Sequence, residues 1–155
     1  MKALVFSDTH SCIALAEEAV RRRRPDVIIH LGDYVRDAET IREDFPGIPV
    51  YCVRGNCDIS ADAPDTDTVQ LGPVKAFITH GHLYNVRYDC LGLAYAAMEA
   101  GARLAMFGHT HEPLYEEFGG VTVVNPGTAG KGRTLSYAEI DVQDNGGFAV
   151  YIKNL

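Results

Sequence analysis

The apolar positions of this chain switch between strand and helix periods in a regular succession. In the first half the β-rich runs "KALVFS", "DVIIH" and "PVYCVRG" each pass into a polar loop. The first two loops lead into segments of helical spacing, Ser11 to Arg24 and Val35 to Phe45. That succession predicts parallel strands joined by right-handed crossovers, with the loops that follow the strands sharing one edge of a sheet. Farther on, "TVQLG" and "VKAFITH" flank Gly72-Pro73 as the arms of a hairpin, Tyr88 to Ala100 is helical, and "RLAMFGH" is another strand. Beyond Pro113, "LYEEF", "VTVVN", "TLSYAEIDV" and "FAVYIKNL" are separated by Gly-rich turns, including "DNGG", and predict an antiparallel meander closing a second sheet. No linker, internal repeat or low-complexity tract interrupts the pattern, so residues 1–155 are expected to form a single domain.

Charge changes the picture of partners. Acidic residues outnumber basic ones by 21 to 14, for a formal charge of -7, so no extended nucleic-acid surface is evident. A polyanionic partner would need bound metal or a local basic patch. Arg21 to Arg24 end a helix just before Pro25, where they complement its dipole, and lie away from the strand-end loops. The four cysteines, Cys12, Cys52, Cys57 and Cys90, form no C-x-x-C pair and are expected to be reduced. The apolar run after Lys2 stops at Ser7-Asp8, too short for a signal-peptide core, and no segment has the length of a membrane helix. The expectation is a soluble, cytoplasmic protein without membrane contact.

Candidate chemistry gathers at the ends of the predicted strands. Asp8 and His10 follow the first, Asp33 the second, Asn56 the third, His80 follows "AFIT", and His109 with His111 follows "RLAMF". Taken singly, each Asp or Asn reads as a turn former and each His as a satisfied polar group. Taken together, several strand ends deliver oxygen and nitrogen donors to one rim, where open parallel sheets bind ligands. Carboxylates, an amide and imidazoles suit borderline-hard divalent ions, and seven donors exceed what one tetrahedral zinc needs. They suffice for two ions sharing a carboxylate.

In order, "FSDTH", "HLGD", "GNCD", "THGH", "GHTH" and the later "NPGT" resemble the calcineurin-like metallophosphoesterase superfamily, and within it the small bacterial and archaeal phosphodiesterase branch. The resemblance covers most of the chain. It implies an α/β fold of two facing mixed β-sheets flanked by helices, a four-layer αββα sandwich, with the site at one sheet edge. It implies that Asp8, His10 and His111 hold one metal, that Asn56, His80 and His109 hold the other, and that Asp33 bridges them. The implied activity is hydrolysis of a small phosphodiester by a hydroxide between two divalent ions, manganese first, with zinc, iron or nickel also compatible. The same fold occurs in a retromer scaffold subunit, so a non-catalytic protein-binding scaffold is the alternative. A cyclic-nucleotide phosphodiesterase or a nuclease is a further one. A homodimer through apolar β-rich edges is open as well.

Cys57 departs from the family pattern, which places histidine there to protonate the leaving oxygen. Three roles stand open for the thiol: space-filling beside the site, proton donation, or ligation that would favour zinc. The first is preferred because free cysteine is commonly buried. His82, two residues past His80, is the better candidate for proton donation or substrate steering. Without the family's histidine acid, diesters with acidic, aryl-like leaving groups are expected to react in preference to alkyl phosphomonoesters. Asp58 is read as accepting from backbone amides of its turn, His30 as core or support, and Thr128 as a candidate substrate contact within a turn. Tyr34, Tyr84, Tyr88 and Arg87 would decide the pocket wall, and so the choice among phosphodiesters.

Overall fold

A computed structural model describes residues 1–155. Strands β1 (Lys2–Phe6), β2 (Val27–His30) and β3 (Val50–Cys52) run parallel, joined through helices α1 (Ala14–Arg23) and α2 (Val35–Asp44). Strands β4 (Thr66–Leu71) and β5 (Val74–Thr79) form the hairpin. Helix α3 (Leu91–Glu99) then leads to β6 (Leu104–Met106), parallel to β5. Strands β7 (Leu114–Phe118), β8 (Val121–Asn125), β9 (Ser136–Val142) and β10 (Phe148–Asn154) complete two mixed five-stranded sheets, ordered β10-β9-β1-β2-β3 and β4-β5-β6-β8-β7.

Strand alternation builds the layers. Ala3, Val5, Val27 and Ile29 face Ile78, Leu104, Met106 and Val124 in the core between the sheets. The opposite faces turn outward, Leu4, Phe6 and Ile28 onto α1 and α2, and Phe77, Ala105 and Val123 onto Leu93 and Ala97 of α3. The result is the four-layer αββα sandwich that the resemblance implies, built on the α/β units that the residues predict. No helix is long and apolar enough to cross a membrane.

Two sequence expectations need correction. The final four strands are not one meander. Strands β7 and β8 join the second sheet, with β8 parallel to β6, whereas β9 and β10 cross to the first sheet and β9 pairs antiparallel with β1. Alternation could not reveal this, because β9 is buried on both faces and so fits the middle of either sheet. The first helix also starts three residues later than its periodicity suggests. His10 and Ser11 adopt φ of 44° and 66°, outside the right-handed helical range, and belong to the loop instead.

Candidate metal centre

The strand-end loops are pinned to one another before any ligand is considered. Asp8 N donates to Gly32 O at 3.1 Å and Gly108 N to His80 O at 3.0 Å, while Ala129 N reaches Ser7 O at 2.9 Å. Close approach demands glycine at two of these places: a Cβ on Gly55 would stand 2.1 Å from Asp33 Oδ1, and one on Gly108 would stand 1.9 Å from Ser7 Oγ. Asp58 accepts from the N–H groups of Asp33, Val35 and Gly55 at 2.8 to 2.9 Å. It therefore receives an amide of its own turn, and it also ties the β3 loop to the β2 loop.

On this frame the candidate donors converge. Ligand atoms of Asp8, His10 and His111 lie within 4.8 Å of one another, as do those of Asp8, Asp33 and His80. His111 Nε2 is 3.0 Å from Asp8 Oδ1, His10 Nε2 is 3.5 Å from His111 Nε2, and His80 Nε2 is 3.5 Å from Asp33 Oδ1 and 3.2 Å from Asn56 Oδ1. His109 joins from the side, its ring centroid 5.1 Å from that of His80, but its Nε2 accepts a hydrogen bond from Arg87 Nε at 3.0 Å. Tyr34 packs edge-on against His10.

The donor set fits a cation. Leu31 O can only accept, so its 2.7 Å contact with His80 Nδ1 places a proton there and, in the neutral ring, leaves the Nε2 lone pair facing two oxygens. Asp8 Oδ1 is buried and receives no hydrogen bond, although its other oxygen accepts from Ser7 Oγ at 2.6 Å and His109 N at 3.0 Å. Acceptors turned toward acceptors in a buried place are unfavourable until positive charge lies between them.

Local fields agree with this polarity. Burial opposes ionisation of Asp33, yet the Cys57 N–H donated to its carboxylate and the field of His80 outweigh burial and hold its pKa below the ordinary value. Burial, then His80, lowers the pKa of His82, and burial, His80 and Arg87 do the same for His109. His82 Nδ1 is buried without a partner, with its ring 5.5 Å from that of His80.

Three other sequence readings can now be placed. Cys57 is exposed, which corrects the space-filling reading. The thiol sits with His10 and Asp33, and its hydrogen bond to Asp33, followed by burial, pushes its pKa up to about 11. Thr128 is buried, with its hydroxyl donating to Asp8 O at 2.9 Å, so it fastens the Asp8 main chain instead of offering a substrate contact. His30 is enclosed and pushed down by burial to about 4, with Nε2 3.0 Å from Thr9 Oγ1, which in turn donates to Asp37. His30 is thus the core and supporting residue that its place in the strand predicted, whereas sequence reasoning missed its partners Thr9 and Asp37, and it missed Asn125, whose amide donates to Gly108 O at 2.9 Å. The one available signal was Asn125 closing "VTVVN" just before Pro126-Gly127.

A two-sheet α/β sandwich with carboxylates, imidazoles and an amide gathered on its strand-end loops is a metal-binding domain of the metallophosphoesterase class. The chain belongs to the calcineurin-like phosphoesterase superfamily, whose domain model matches residues 1–145. It is 31% identical to the probable metallophosphoesterase YsnB of Bacillus subtilis, over 94% of this chain and 86% of that one. It is 27% identical to the phosphodiesterase MJ0936 of Methanocaldococcus jannaschii, over 82% and 83% of the two chains. The zinc complex of Vps29 from Entamoeba histolytica superposes with a TM-score of 0.79 over 99% of both chains at 19% identity, a likeness of fold.

Proposed function

We propose that this protein is a phosphodiesterase working with two divalent ions, with manganese the first candidate. The supporting observation is the set of unshielded donor atoms at the rim, above all His80 Nε2 turned toward the oxygens of Asn56 and Asp33, and the buried Asp8 Oδ1, which receives no hydrogen bond. Asp8, His10 and His111 would hold one ion, Asn56 and His80 the other, joined by His109 once Arg87 gives up its hydrogen bond to that ring, and Asp33 both. Ions held there supply Lewis acidity toward phosphoryl oxygens and bring the pKa of water toward neutrality.

The remaining roles fall to the chain itself. Asp58 holds the Asp33 main chain, and the Cys57 N–H fixes where the Asp33 carboxylate points. The Leu31 carbonyl fixes the His80 tautomer. His82, whose pKa is lowered by burial and by its neighbour His80, suits the orientation of a substrate oxygen. With no histidine beside Asn56, a leaving group that needs little protonation is favoured, which supports aryl-like phosphodiesters as substrates.

Metal analysis of protein stripped with chelator and reloaded with manganese, run beside hydrolysis of bis(p-nitrophenyl) phosphate, tests this. About two ions per chain and metal-dependent turnover are expected, and Asp33→Asn should lower turnover by about 100-fold. A second reading, a partner-binding scaffold, is favoured by the exposed apolar stripe of Leu91, Tyr95 and Met98 along α3. Little bound metal, no turnover and unaltered folding in Asp33→Asn would support it.

A further inference from the structure

A hollow of about 540 Å³ opens beside the candidate metal centre, between the segment that precedes α3 and the loop that enters β7. It joins the centre at Arg87, whose Nε is 3.0 Å from His109 Nε2, and at Thr110, which lies between His109 and His111. No carboxylate lies within ion-pair distance of Arg87, so its charge is uncompensated at short range. Its lining is mixed, with Tyr88, Phe107, Leu114 and Phe118 supplying apolar and aromatic surface. Tyr88 is 89% exposed although it is a large aromatic side chain. Asp89, Glu112 and Glu116 also line the hollow, so against the single cation at its mouth stand three carboxylates. A second hollow, of about 560 Å³, adjoins the centre at Tyr34 and Cys57.

We infer that the hollow at Arg87 receives one organic arm of the phosphodiester, that Arg87 holds a phosphoryl oxygen at its mouth, and that the carboxylates restrict the arm to a neutral or cationic group. The inference rests on the phosphodiesterase reading and adds the substrate class. A guanidinium that reaches an imidazole nitrogen at the edge of the centre reaches equally an anionic oxygen placed there, with a gain in hydrogen-bond strength from the charge. Beyond that point, a phosphate or carboxylate carried on the arm would meet three like charges. An aromatic or alkyl arm would instead cover Tyr88 and Phe118, and a quaternary ammonium would find both carboxylates and ring faces. A monoester has no second arm to place, and the hollow at Tyr34 gives a diester room for its other one.

The test is calorimetric, on full-length manganese-loaded protein, with two phosphinates that mimic a diester but carry two phosphorus–carbon bonds and cannot be cleaved. One has a phenyl and a trimethylammonioethyl arm, the other a phenyl and a carboxyethyl arm. The ammonium compound should bind at least about 10-fold more tightly. Asp89→Asn, Glu112→Gln and Glu116→Gln together should bring the two affinities close together. Arg87→Ala should weaken both by about 10-fold or more while metal content, measured on the same samples, stays unchanged. Equal affinities in the wild type, a preference that survives the triple substitution, no phosphinate binding, or undiminished binding by Arg87→Ala would each overturn the assignment. Turnover of bis(p-nitrophenyl) phosphate separates the two claims. Arg87-dependent phosphinate binding without turnover sinks the hydrolase and leaves the subsite. Turnover without any effect of Arg87→Ala on binding does the reverse.

Discussion

Asp8, His10, Asp33, His109 and His111 all carry φ between 44° and 68°, so most of the candidate ligands sit on left-handed backbone. Side chains other than glycine adopt this conformation at a cost of roughly 1 kcal/mol or more, and such residues cluster where surrounding contacts over-determine the chain. Here the contacts are the loop-to-loop hydrogen bonds and the close approach of glycines. Gly108→Ala would place its methyl 1.9 Å from Ser7 Oγ and 2.8 Å from Asp8 Oδ2. The expected outcome is a loss of about 2 to 4 kcal/mol in stability and markedly weaker metal binding, read by thermal unfolding and metal titration. Gly47→Ala, which meets nothing within 4 Å, serves as the control. The identity of the candidate donors was legible in the sequence because polar residues recur at the ends of successive apolar runs, a set that is informative although each member alone reads as a turn former or a satisfied polar group. The left-handed backbone, the Arg87–His109 contact and the pairing of His30 with Thr9 and Asp37 were not, since each depends on how distant loops meet.

Among the elements, α1 and β9 are coupled by one ion pair. Arg23, in the last turn of α1, grips Glu139 with Nε and Nη2, and Glu139 is only 2% exposed although it sits in the outward face of a central strand. The basic run at the helix end was legible as a favourable charge on the dipole, whereas its buried partner 116 residues away was not. Hydrogen bonding from Arg23 holds the Glu139 carboxyl below its ordinary pKa against the cost of burial. A depressed acid stabilises the fold above its unfolded pKa of about 4.3, and that stabilisation disappears as pH falls through the folded value. Glu139→Gln is therefore expected to cost about 2 kcal/mol at pH 7. The gap between wild type and variant in urea unfolding should narrow as pH drops below about 4. A gap independent of pH would remove the ion pair as its cause.

At the scale of the molecule, the pattern of apolar positions predicted parallel α/β units and a second sheet, the resemblance implied their four-layer packing, and what alternation could not assign was the sheet that β9 enters. That placement has a consequence for the order in which the molecule assembles. Every strand of the second sheet lies between Thr66 and Asn125, whereas β1 at the start of the chain waits for β9, which begins at Ser136. During synthesis on the ribosome the second sheet can close while one edge of β1 still has its amides and carbonyls unpaired. Loop closure between residues this far apart is also slow in a free chain. Pulse-labelled hydrogen exchange during refolding should find the amides of β5 and β6 protected before those that β9 donates to β1, with the two loops carrying Asp8 and His109 brought together last. Simultaneous protection of both sheets would exclude this order. In that sequence of events the candidate site comes into being only when nearly the whole polypeptide is present, so a partly made chain cannot capture metal with the full set of donors.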